Sequence, residues 1–217
     1  GSGISNLKQQ VYNIDSNKHS NYTFFKVLPQ VQFRYTIRPQ TGFYISYRGS
    51  SQQPSVNQLQ PLRNNNDPLN IYIGNPNLKI GFRNSFQLNY YSFKTLSQRY
   101  FSTYFNYTTT TNAVTTSTVV KPDGARVSTN INTNGNNNWY LSSWWQKSGQ
   151  GKWNPNFGIY GNGGTTVNFV NGQKSTNHYE GYNLNLRLSK YKDEKYDISV
   201  GPQFGQNFSS SSLQPEN

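Results

Sequence analysis

The sequence predicts an all-β protein, an antiparallel up-and-down meander of about eight long strands. Three observations lead there. The helix formers Ala, Glu and Met number two, three and none in 217 residues, too few for a largely helical chain. Aromatic residues make up 16% of the sequence, and they suit strands. Apolar and polar residues alternate over long stretches, which marks a strand with two unlike faces.

The strands follow in order. Val31, Phe33, Tyr35 and Ile37 alternate with Gln32, Arg34 and Thr36, giving a strand over 22–37. Phe43, Ile45 and Tyr47 give one over 41–49, and Phe82, Phe86, Leu88 and Tyr90 one over 82–93. Phe101, Phe105 and Tyr107 share a face of 98–119; Trp139, Leu141 and Trp145 share one of 125–147. Trp153, Phe157 and Ile159 mark 152–169. Tyr182, Leu184, Leu186 and Leu188 mark 174–190, and Tyr196, Ile198, Val200 and Phe204 mark 195–208. The connections alternate in kind. Short turns (Arg38-Pro39-Gln40, 94–97, 148–151, 191–194) fall at one end. At the other lie the loop 50–81, the turn Lys121-Pro122-Asp123-Gly124, and Asn171-Gly172, the last two carrying hairpin signals.

Composition limits the partners. Asn, Gln, Ser and Thr number 31, 17, 24 and 17, so an ordinary aliphatic core is under-supplied. With no Cys, disulfides and thiolate metal sites are excluded. The net charge of +12 attracts anions of any kind without selecting one. No segment approaches the 18 apolar residues of a membrane helix.

Charge placement then separates the two faces. Arg34, Arg48, Arg83, Arg187 and Asp197 all have polar-face parity. The basic residues that break parity, Arg99, Lys147 and Lys190, lie within a residue or two of a short turn, where a long side chain snorkels to water. Charge on a lipid-facing strand costs about 2–4 kcal/mol at mid-membrane and little at the interface. Aromatics gather near the short turns: Tyr90, Tyr91, Phe93, Tyr100, Phe101, Trp144, Trp145, Trp153, Tyr191 and Tyr196. They read as the aromatic girdle of a segment of a transmembrane β-barrel. A soluble sandwich, with one apolar face, is the competing architecture.

The loop after the second strand carries a resemblance. Arg48-Gly49 leads through Pro54-Ser55-Val56-Asn57-Gln58-Leu59-Gln60-Pro61 to Gly74-Asn75-Pro76-Asn77-Leu78-Lys79. Leu28-Pro29 and the Asn-rich stretch before Trp139 belong to the same pattern. This resembles the TonB-dependent outer-membrane receptors and the related outer-membrane β-barrel family, over most of 22–208. The family usually has Pro-Glu after the Lys, where this chain has Ile80-Gly81. The resemblance implies a fragment of a bacterial outer-membrane barrel, with short turns periplasmic and long loops extracellular. It implies uptake of a large nutrient energised indirectly by TonB, with a plug domain, the remaining barrel strands, lipid and lipopolysaccharide as partners. Residues 1–21 read as a cloning remnant and extracellular-side leader, 22–208 as barrel strands, and 209–217 as a polar tail.

The chemistry-bearing residues are sparse. The eight acids include turn residues such as Asp123, Asp193 and Glu194, and no opposed carboxylate pair is visible for catalysis. His19 and His178 lack a second ligand at metal spacing. Gly161-Asn162-Gly163-Gly164 lacks the Lys-Ser/Thr of a phosphate loop and reads as a flexible extracellular loop. No enzyme, cofactor or metal is expected. Nucleic acid is not expected either, because parity separates the cations from the aromatics. The candidate ligand or plug contacts are the polar-face residues Arg34, Tyr44, Arg48, Arg83, Gln87, Asn89, Tyr140, Asn185 and Arg187. The alternative function is a soluble carbohydrate-binding or adhesin module that stacks sugars on Trp139, Trp144, Trp145 and Trp153.

Overall fold

A computed structural model describes residues 2–13, 18–61, 63–64, 67–149 and 152–213. The elements are β1 (Ser2–Asn13), β2 (Lys18–Arg38), β3 (Thr41–Gln52), α1 (Val56–Leu59), β4 (Arg63–Asn64), β5 (Asn70–Ile73), β6 (Gly81–Lys94), β7 (Arg99–Thr111), β8 (Ala113–Val120), β9 (Arg126–Thr133), β10 (Asn136–Lys147), β11 (Trp153–Val170), β12 (Gln173–Lys192), β13 (Tyr196–Val200) and β14 (Gln203–Ser211). The single helix among the described residues has one turn, held by a capping box between Ser55 and Gln58.

One antiparallel wall runs β1-β2-β3-β6-β7-β10-β11-β12, and β12 then pairs both β13 and β14. Among the described residues the wall does not close on itself. The expected meander is present, with differences that have local causes. Residues 2–13, expected as remnant and leader, form β1 against β2. Ile4, Leu7 and Val11 do not alternate, so parity gave no signal. The strands expected over 98–119 and 125–147 each break in two. Asn112 and Gly135 take positive φ (51° and 110°) at the breaks, and the outer half of the hairpin bends away. The last strand breaks at Gly201-Pro202, where Pro has no N–H for the ladder. There Leu186 N donates to Pro202 O.

The hairpin signals read from sequence are turns. Asn171 and Gly172 both have positive φ (51° and 77°) between the paired residues Val170 and Gln173, as a two-residue type I′ turn requires. The Gly161–Gly164 stretch, by contrast, is not a loop. It lies in mid-β11, paired on both sides. Its glycines make room for the neighbouring indole. A Cβ at Gly161 would stand 2.9 Å from the Trp139 ring, and one at Gly163 2.7 Å. Gly158 does the same for Trp144, at 2.6 Å.

The described residues of the loop 50–81 are built into structure rather than open. Together with β8, β9 and the end of β11 it forms a cap beyond the wall. Two short parallel ladders hold it, Phe169–Val170 with Ser117–Thr118 and Asn70–Ile73 with Arg126–Thr129. The buried apolar residues of the described chain are Leu59, Ile71, Leu78, Ile80, Ala113, Ala125 and Val167. All seven lie in or beside this cap, so the small aliphatic supply is spent there.

Candidate functional site

Directly opposed residues of an antiparallel ladder share a face, so the registers sort every wall residue. One face carries Phe33, Ile45, Leu88, Phe105 and Leu141 in one row across five strands. Trp145, Phe157 and Leu186 form a second row. The other face carries all nine candidate contacts: Arg34, Tyr44, Arg48, Arg83, Gln87, Asn89, Tyr140, Asn185 and Arg187.

Seven of the nine come together. Arg34 opposes Tyr44, Tyr44 opposes Asn89, and Asn89 opposes Tyr104. The Arg34 guanidinium stacks over the Tyr44 ring at 5.6 Å, a cation–π contact. One row further from the short turns, Gln87 opposes Asn106, which opposes Tyr140. The Tyr104 and Tyr140 rings meet at 6.0 Å and join the two rows. Arg48 opposes Ser85, and Arg83 opposes Ser50 on the same face. Asn185 and Arg187 stand apart on β12, beyond β7, β10 and β11, where Arg187 donates to Ser199 Oγ at 3.1 Å.

Sequence reasoning missed Tyr104 and Asn106, which complete the patch. Their parity, opposite to Phe105 and Tyr107, was the available signal. Asn106 is committed inward: its Nδ2 donates to Ser85 Oγ and to Phe86 O, both at 3.2 Å. The patch is cationic because the strand carboxylates lie elsewhere. Asp197 sits on β13, and Glu180 is on the apolar-face parity of β12, accepting from Tyr182 Oη at 2.8 Å. His178 shares a hydrogen bond with Thr165 at 3.0 Å; the side chain of His19 lies outside the described residues. Among the described residues no group of three or more potential metal ligands occurs.

The expected girdle divides between faces. Tyr90, Phe101, Trp145, Trp153 and Tyr196 lie on the apolar face. Tyr91, Phe93, Tyr100, Trp144 and Tyr191 lie on the polar one. Nearness to a turn sets the height of a ring, whereas parity sets its face. Trp144 thus turns away from Trp139, Trp145 and Trp153, and the four indoles cannot form one sugar-stacking platform.

The cap explains the motif after the second strand. Gly74 is needed because a Cβ there would stand 2.0 Å from Gln60 O. Asn75 N donates to Gln58 O (2.7 Å), and its Nδ2 reaches Asn130 O (2.9 Å). Asn132 clamps Lys79 through both backbone atoms, at 2.7 and 2.9 Å, and also donates to Asn112 O. Asn130 donates to the Tyr72 hydroxyl. Leu59 and Leu78 fill the interior.

The deciding observation is that no described residue covers the apolar face. Phe33 is 53% exposed, Ile159 47% and Leu186 40%, where a sandwich would bury such residues under a second sheet. A family model, the outer membrane protein beta-barrel family, matches residues 4–213. The chain belongs to that family. A search of curated proteins finds no match. Membership of this family of bacterial outer-membrane β-barrel proteins sets aside the soluble module. No helix among the described residues is long and apolar enough to cross a membrane; this protein crosses with strands.

Proposed function

We propose that this chain is part of the barrel of a TonB-dependent transporter that takes up a large nutrient. The observation that carries the reading is the contiguous polar patch of Arg34, Tyr44, Asn89, Tyr104, Gln87 and Tyr140 on the non-lipid face. Guanidiniums, amides and phenols spaced along a rigid wall suit a large polar ligand, or a plug domain that must slide past it. The open wall supports a larger barrel. An edge strand in lipid would leave backbone groups without partners, at several kcal/mol each. Further strands therefore complete the ring. Lipopolysaccharide then surrounds the capped end and phospholipid the short-turn end. The protein acts by binding and passage, without catalysis.

The test measures accumulation of labelled oligopeptide and oligosaccharide pools in cells producing the full-length protein. Accumulation is expected to stop when TonB is deleted or the proton gradient collapsed. It is also expected to fall when Arg34 and Tyr44 are both changed to Ala. Protein-dependent accumulation that persists without TonB overturns the energised mechanism.

A further inference from the structure

The lipid-facing wall has a gap in its aromatic girdle. At the short-turn end a cross-strand row runs Thr41, Ser92, Phe101 and Trp145. The rings occupy β7 and β10, whereas β3 and β6 contribute two small hydroxyl residues. Thr41 and Ser92 are 2% and 9% exposed and bond to each other at 3.1 Å. Arg38 Nε donates to Thr41 Oγ1 at 3.3 Å, which brings its guanidinium over the pair. The result is a notch of about 240 Å³, lined by Arg38, Lys94 and Arg99 with Tyr90, Phe101 and Trp145 around it. No carboxylate lines it.

The cations are placed against their own repulsion. Lys94 stands directly opposite Arg99, and Arg99 directly opposite Lys147. Like charges opposed across strands destabilise a sheet. All three have apolar-face parity, so they sit where the wall meets the headgroups. An anion between them turns that repulsion into attraction, and Arg in particular forks onto phosphate oxygens. Basic clefts at the membrane interface recognise anionic headgroups in this way. The aromatic rings flank the acyl side, and water excluded by the lipid strengthens the charge contact.

We infer that this notch binds the phosphate of an anionic phospholipid in the periplasmic leaflet. Arg38, Lys94 and Arg99 hold the phosphate, and the small Thr41–Ser92 pair leaves room for it. The lipid then occupies the gap in the girdle at the β3–β6–β7 seam.

Native mass spectrometry of the full-length protein, titrated with phosphatidylglycerol or phosphatidylethanolamine, tests this. Folding of each variant is verified by heat-modifiable gel mobility. Two variants probe different halves of the site. Lys94→Gln/Arg99→Gln removes charge and leaves the space; Ser92→Phe fills the space and leaves the charge. Each is expected to weaken phosphatidylglycerol retention by about tenfold or more, the value of one or two charged hydrogen bonds. Lys174→Gln, at the far end of β12, should retain the lipid like the wild type. Equal retention by the wild type and both notch variants overturns the site. So does equal retention of the two lipids. Displacement of phosphatidylglycerol by millimolar inorganic phosphate would assign the notch to free phosphate instead.

Discussion

Leu186 offers the most direct test of which face meets lipid. On the apolar face of β12 it lies between Leu184 and Leu188 and opposite Phe157. That apolar run is bracketed by Lys190, whose ammonium stacks on Trp153 at 5.7 Å, and by Tyr182, bonded to Glu180. Each bracket is four residues away. At about 3.3 Å per residue and a strand tilt of about 40°, Leu186 lies about 10 Å inside either boundary. Leu186→Arg should therefore cost about 2–4 kcal/mol, the mid-membrane value. Asn185→Arg, one residue away on the polar face, should cost far less. Leu186→Trp separates lipid from a protein core: a core would be overpacked by about 1–3 kcal/mol, while fluid lipid yields. The assay is urea titration of the full-length protein folded into liposomes, across the three variants. Equal penalties for the two Arg variants, or a large one for Leu186→Trp, would refute the lipid-facing assignment.

Three further outcomes follow from particular contacts. Gly161→Ala should destabilise by about 1–3 kcal/mol because its Cβ meets the Trp139 ring at 2.9 Å. Adding Trp139→Ala should cancel that penalty in a double-mutant cycle of unfolding midpoints. Asn132→Ala removes three hydrogen bonds within the cap; about 1–3 kcal/mol of local stability should go. Hydrogen exchange at the Lys79 amide, now unpaired, should speed accordingly. The Asp67 carboxyl is held below its ordinary range by the Asn70 side chain and then by the Leu69 amide. A depressed carboxylate contributes stability above its unfolded pKa and loses it as pH falls through the lower folded value. Exchange at Leu69 and Asn70 should thus rise only below the usual carboxylate range. In Asp67→Asn that pH dependence should vanish.

The sequence by itself determined the wall strands that alternate, and the face of each residue on them, because period-two alternation is a local property that pairing merely preserves; β1, whose Ile4, Leu7 and Val11 do not alternate, was not among them. Leu184, Leu186 and Leu188 needed no structure to be placed together, nor did Arg34, Arg48 and Arg83. The turn at Asn171-Gly172 was legible for the same reason, since positive φ is a demand on single residues. Tertiary structure decided what alternation cannot encode. Gly161–Gly164 read as a loop because its reason for lacking side chains, the Trp139 ring, stands on another strand. Tyr91 and Trp144 were assigned to the girdle by height; their parity, opposite to Tyr90 and Trp145, was the available signal, and the register places them on the polar face. The motif from Pro54 to Lys79 could be recognised but not explained. Its polar residues act through partners such as Asn130 and Asn132, more than 50 positions away. The gap at Thr41 and Ser92 was invisible for the same reason: two small residues 51 positions apart become one notch only when β3 pairs with β6.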